Sequence, residues 1–193
     1  MDCIAVDSAG LHNVIASSGT AFTDAQARLL ARFARKLVVN FDPDAAGAAA
    51  AERSLALLVE EDFQIKVLTL EPGFDPDLFL RRRGREAYAA ALRNAPKYFD
   101  YLIERARSQF PVRTPEGKVQ AVNFLLPHIH RVPHRIARDE LANEIAQKLD
   151  IQTASLRQEL RHAASTRSGT VKAAAEPQVT DAERILIRAL ASG

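Results

Sequence analysis

Apolar and polar positions follow two rhythms along this chain. Up to about residue 77, short apolar runs alternate with helical periods; beyond it only the helical period remains. Asp2–Ala9 predicts a short helix closed by Gly10, and Asn13–Ser17 a short apolar strand. Thr23 and Gln26 form a capping box, in which the hydroxyl takes a free helix N–H and the amide reaches back. The helix it opens should run to about Lys36, with Ala27, Leu30, Phe33 and Ala34 on one face. Leu37–Phe41 predicts a second strand, apolar on both faces apart from Asn40, as a covered parallel strand would be. Asp42-Pro43-Asp44 reads as a turn, Ala45–Glu60 as a helix, and Gln64–Leu70 as a third strand broken by Pro72-Gly73.

This order implies an α/β fold with a parallel sheet and right-handed crossovers. A βα unit normally opens with a strand, whereas this chain opens with a helix, so a strand ahead of Met1 is expected to be missing. Helices follow near 77–83 and 85–93, then from Pro96 to about Phe110. Thr114-Pro115-Glu116 starts another, with Pro at the first helical position, and it should reach His130 despite Pro127. Further helices fit 134–149 and 153–163. Residues 164–180 lack an apolar period and read as a linker. Asp181–Leu190 reads as a last amphipathic helix.

Composition narrows the class. The chain has 193 residues, 47% hydrophobic and 26% charged, which is ordinary for a globular protein. No apolar run approaches the roughly 18–20 residues that cross a bilayer, and no signal peptide is expected. The single cysteine, Cys3, excludes an intrachain disulfide and a Cys-based zinc site. The expectation is a cytoplasmic protein without a membrane partner. The net charge of +2 hides an asymmetry: residues 1–80 carry 12 acidic and 6 basic side chains, residues 81–193 carry 12 and 20. An acidic half can hold a cation and a basic half can meet polyanions, although a solvated arginine-rich helical surface has the same composition.

The candidate chemistry lies on the loops after the strands. Asp42-Pro43-Asp44 follows the strand Leu37–Phe41, where ligands of open α/β sheets bind. Two carboxylates across one rigid proline can face a single hard cation such as Mg²⁺; alternatively Asp44 caps the next helix. The spelling recurs as Asp75-Pro76-Asp77 after the third strand, with Asp77 the alternative cap. Four carboxylates on one rim repel one another unless a metal compensates. Ser17-Ser18-Gly19-Thr20 is small enough for backbone N–H groups to approach a phosphate, or is simply a tight turn. Arg81-Arg82-Arg83-Gly84-Arg85 can contact a nucleic-acid backbone, or can be a solvated helix end. His128, His130 and His134 have poor zinc spacing, and no acid or cysteine completes a set. Tyr88, Tyr98, Phe99 and Tyr101 fit helix core better than base-stacking platforms.

From Met1 to about Ile103 the chain resembles the Toprim region of bacterial-type DNA primase. The resemblance rests on Met1-Asp2, Ser17–Thr20, Phe41–Gly47 and Pro72–Leu80. The Asp-x-Asp-x-Ala-Gly signature is met by Asp42, Asp44, Ala46 and Gly47, and Gly84 follows the second Asp-Pro-Asp as in the family. The resemblance implies an incomplete Toprim domain over 1–95, a Rossmann-like parallel sheet with flanking helices. An all-α helical subdomain of the polymerase core follows over 96–163, then the linker, then the start of the helicase-binding domain over 181–193. The catalytic Glu of the family would fall before Met1, and Ala45 stands where relatives often carry a basic residue.

The activity implied is synthesis of short RNA primers for DNA replication on a single-stranded DNA template from ribonucleoside triphosphates. Asp42 and Asp44 would be the catalytic carboxylates. With Asp75 and Asp77 they form the expected Mg²⁺ or Mn²⁺ set, in which Asp77 is an outer contact or cap and Asp2 supports the missing Glu. Zinc is expected only in an amino-terminal domain outside this stretch, and a replicative helicase is the expected partner. The fragment alone should be inactive. Two alternatives stay open, a non-catalytic module that docks on helicase or DNA, and a Toprim nuclease.

Overall fold

The computed structural model describes residues 2–16, 22–40 and 54–168, the side chains of 162–168 excepted. Asp42, Asp44, Ser17–Thr20, most of the expected linker and the helix 181–190 therefore lie outside the described residues. Residues up to Leu160 form one compact unit, and a second begins at Arg161.

Local chemistry sets the helix ends. α1 (Asp2–Ser8) closes on Gly10 at φ +83°. Gly10 N–H donates to Asp7 O at 2.8 Å and Leu11 N–H to Val6 O at 3.2 Å. This paired closure needs a left-handed residue, which glycine adopts without cost. Leu11 and Val6 then join the same apolar cluster. The closure recurs after α3 (54–60) at Asp62, φ 60°, and near residue 150 at Asp150, φ 51°. α2 (Asp24–Ala31) opens on the expected capping box: Thr23 Oγ1 accepts from Gln26 N, and Gln26 Oε1 accepts from Thr23 N. It ends earlier than expected, and Phe33 is 79% exposed, because residues 32–35 turn into the strand instead of prolonging the apolar face.

β1 (Lys36–Asn40) and β2 (Gln64–Leu68) pair in parallel, Lys36 opposite Gln64 through Asn40 opposite Leu68. The apolar run Asn13–Ala16 is not a strand. Its side chains Val14 and Ile15 divide between the α1 cluster and solvent, and no ladder partner lies beside it among the described residues. Nor is β1 covered on both faces: Leu37 and Val39 pack on the main core, whereas Val38 is 40% exposed. The outer edge of β2 is partly closed, Val67 N–H donating to Pro96 O at 2.9 Å beside a bridge between Lys66 and Lys97.

α4 (Pro76–Asn94) contains a break at Gly84, φ 82° and ψ 171°, a conformation restricted to glycine, so it is the expected pair of helices end to end. α5 (Tyr98–Gln109), α6 (Pro115–His130) and α7 (Arg135–Lys148) follow as the pattern predicts, α6 running through Pro127. α8 (Thr153–Ser168) extends into the stretch read as a linker. Alternate residues of β2 enter different clusters: Ile65 and Val67 join α5–α8 and α3 in the main core, while Leu68 packs with Leu70, Val6, Phe79 and Tyr88 under α1 and α4. No helix among the described residues is long and apolar enough to cross a membrane.

Candidate metal-binding rim

The chain leaves the carboxyl end of β2, turns at Pro72-Gly73, with Gly73 at φ +83°, and enters α4 at Asp75. Asp75 is the N-cap, with extended backbone, and its Oδ1 accepts from Leu78 N–H at 2.6 Å. The residue is exposed. Oδ2 has no hydrogen-bond or ion-pair partner among the described residues and could offer one coordination position to a hard cation.

Asp77, not Asp75, was the expected cap, and the structure reverses this. Pro76 occupies the first helical position, so the chain turns one Asp earlier. Asp77 lies within the first turn, and both of its oxygens face Arg81: Nε is 3.0 Å from Oδ1 and Nη2 is 2.9 Å from Oδ2. A forked pair of this kind engages both oxygens of Asp77 with one guanidinium. The pair forms one wall of a 510 Å³ cleft between α1 and α4, with Ile4, Ser8 and Leu80 among its other residues.

Two residues beside this rim were not singled out as a pair. Asn40 ends β1, and Tyr88 rises from the second half of α4 to meet it. Burial pushes the Tyr88 phenol above its usual range; the Asn40 amide, donating to the phenol oxygen, pulls it down, and the Asp2 carboxylate pushes it up. Asp2, Asn40 and Tyr88 thus converge where β1 leads to Asp42. Asn40 Oδ1 is buried without a hydrogen-bond donor among the described residues. The signal in the sequence was Asn40 itself, the polar interruption of an apolar strand.

The arginine cluster divides among different partners. Arg81 takes Asp77, Arg83 takes Glu71 at 2.9 Å, and Arg85 reaches Gly10 O at 3.4 Å. Arg82 and Arg83 lie over the Phe74 ring, 5.8 and 5.7 Å from its centroid. The histidines do not converge. His128 is buried, its Nδ1 2.9 Å from Tyr98 Oη, and His134 lies 3.5 Å from Asp62. Tyr88 and Tyr98 are core residues, as expected. Among the described residues no three His, Cys, Asp or Glu side chains are placed to hold a metal ion; Asp42 and Asp44 lie outside those residues.

Residues 1–80 match the Toprim-like family, and residues 99–153 match the DnaB-helicase binding domain of primase. The second match falls on α5–α7 and its flanks, helices that the sequence reading gave to the polymerase core. A DNA primase of Clostridium acetobutylicum is 37% identical over 152 residues, covering 79% of this chain and 25% of that protein. The solved DnaG catalytic core superposes with a TM-score of 0.68 at 30% identity, covering 81% of this chain and 51% of that one. A DnaG primase catalytic domain bound to single-stranded DNA gives 0.65 at 29% identity, covering 76% and 48%. The chain spans about a quarter of the length of the curated relatives it matches. Family models, sequence and fold agree in likening it to a part of DnaG-type DNA primases, and the α/β architecture followed by helices is that of the solved cores.

Proposed function

We propose that this chain, as a stretch of a DnaG-type DNA primase, supplies metal-holding carboxylates for nucleotidyl transfer during primer synthesis. The observation that carries the reading is Asp75. Its carboxylate is fixed through Oδ1 by the Leu78 N–H, in the loop that follows β2, and the residue is exposed. Asp42 and Asp44 follow, two and four residues on in sequence, the end of the neighbouring strand of the same parallel pair. Together these three would hold Mg²⁺ or Mn²⁺, which when bound supplies charge stabilisation for the attacking 3′-hydroxyl and the leaving pyrophosphate oxygen. Asp77 orients Arg81 and stands behind the rim. Asn40 and Tyr88 keep the end of β1 seated against α4, so that the loop carrying Asp42 starts from a fixed point.

In the whole protein the template would be single-stranded DNA, the substrates ribonucleoside triphosphates, and the partner a replicative helicase. The domain division 1–95, 96–163, 164–180 and 181–193 belongs to the same reading. The helicase-binding match over α5–α7 favours one further role, docking without catalysis by this stretch. Incubation of the 193-residue chain with template and ribonucleotides is expected to yield no primer, since most of the relatives' length is outside it; primer synthesis would overturn that expectation. The metal reading is tested by Mn²⁺ titration followed through water-proton relaxation. Asp75→Asn keeps the cap, because Asn caps about as well as Asp, so its fold stays intact while Mn²⁺ affinity falls. Asp42→Asn, Asp44→Asn should lose more, and Asp77→Asn least. Equal binding by all four proteins would make these acids turn residues.

A further inference from the structure

We infer that the arginine face at the middle of α4, Arg82 with its support Phe74 and the adjoining Arg83, binds a single nucleic-acid strand. The inference rests on the primase reading above and names a contact for it. With Arg85 taken up by the Gly10 carbonyl at 3.4 Å, charge accounting along the cluster singles out one residue. Asp77 answers Arg81 and Glu71 answers Arg83. Arg82 has no carboxylate partner among the described residues. Glu86, four positions on, would pair with it in a continuous helix; the break at Gly84 removes that neighbour relation.

Arg82 is nonetheless held. Its guanidinium lies over Phe74, and Phe74 packs edge-on against buried Phe79, centroids 5.8 Å apart at 71°. Phe79 in turn meets Tyr88. A planar cation with one face on a fixed ring retains an open face and a fork of N–H donors. The donors suit a phosphodiester, and the open face suits a base, the combination by which single strands are bound with little sequence preference. Arg82 stands seven residues beyond Asp75, about 10 Å along the helix axis, so a strand lying on it passes close to the proposed metal rim.

The test uses the full chain with a fluorescent oligo-dT, measured by anisotropy from 50 to 300 mM salt. Arg82→Gln should weaken binding about five- to tenfold at the lowest salt and flatten the salt slope by about 0.7, the value of one single-strand phosphate. Arg82→Lys keeps the charge and should keep the slope while losing about two- to fivefold, the share of the planar contact. Arg83→Gln should change the slope less. Competition with ATP separates the two sources of phosphate: a variant that loses ATP binding but not oligo-dT binding would overturn the inference in favour of a triphosphate site. Equal affinity and slope for Arg82→Gln and the unaltered chain would also overturn it, as would absence of oligo-dT binding by the unaltered chain. Mn²⁺ binding by Arg82→Gln should be unchanged; whether it is reads the metal proposal separately from the strand contact.

Discussion

The two sides of β2 are held by different means. On one side twenty buried residues, counted among the described ones, form an apolar core from α3, β2, α5–α8 and their flanks, and ion pairs tie its rim. Lys148 joins Asp100 on α5 to Glu144 on α7, Arg107 reaches Lys148 O, and Arg131 meets Glu60 at 2.6 Å. On the other side six buried residues lie under α1 and α4, and a polar group, Asn40 with Tyr88, enters among them. Extensive apolar packing suits a part whose task is to stay in place. A small cluster with a polar seam leaves room at the rim for carboxylates and arginines that face outward.

The largest effect should come from the large core. Leu125→Ala, at a fully buried position, should cost about 2–5 kcal/mol in urea unfolding. Val6→Ala, in the small cluster, removes two methyl groups and should cost nearer 1–2 kcal/mol. Equal losses would erase the distinction between the two sides.

Tyr88→Phe leaves the Asn40 amide without its acceptor and should cost about 1 kcal/mol at pH 7. The phenol is held above its ordinary value of 10.0 in the fold. The unfolded chain therefore releases that proton first, and wild-type stability falls as pH rises above 10. The phenylalanine variant lacks this loss, so the gap between the two should narrow in urea midpoints taken from pH 9 to 11. A widening gap would contradict the assignment.

Asp75→Ala removes the α4 cap and should cost about 1 kcal/mol, whereas Asp75→Asn should cost only a few tenths. Comparison of their thermal midpoints separates the capping role from any metal role.

A smaller effect than loss of the cap is expected at the ion-paired rim. Lys148→Met should cost about 0.5–1 kcal/mol, since the side chains are partly exposed. Hydrogen bonds to Asp100 and Glu144 hold the Lys148 ammonium above its ordinary 10.5. Its contribution is therefore full below about pH 10.5 and is lost as pH rises through the folded value. The difference between variant and wild type should be constant from pH 7 to 10 and shrink above; a difference that grows would refute the pairing.

Much of the fold was legible because helix ends are written in local chemistry. Thr23 with Gln26, Thr114 with Pro115, Gly10 and Gly84 act on neighbours within a few residues, and the structure keeps each of them. Strands depend on partners that the local sequence does not name. Asn13–Ala16 has a strand's composition but no ladder, and the openness of β1 at Val38 is set by what packs over it. The described part of the rim, Asp75-Pro76-Asp77, was legible as an Asp-Pro-Asp turn after a strand; its counterpart at Asp42-Pro43-Asp44 lies outside the described residues. Which aspartate caps and which pairs with arginine depends on where the helix begins, a choice of one residue made by Pro76. Asn40 with Tyr88 was legible only in part, since the pairing joins a strand end to a helix far along the chain.

The alternation along β2 has one more consequence. Because Val67 and Leu68 point to opposite sides, neither apolar cluster can come apart without disturbing the strand that the other uses. A slip of one residue against β1 would exchange the two sets of side chains and place Lys66 in the larger core. The two sides are accordingly a single cooperative unit in unfolding, and amide protons of β2 should exchange only through its global opening. A ligand that steadies the rim at α4 would then slow exchange in strands and helices it never touches.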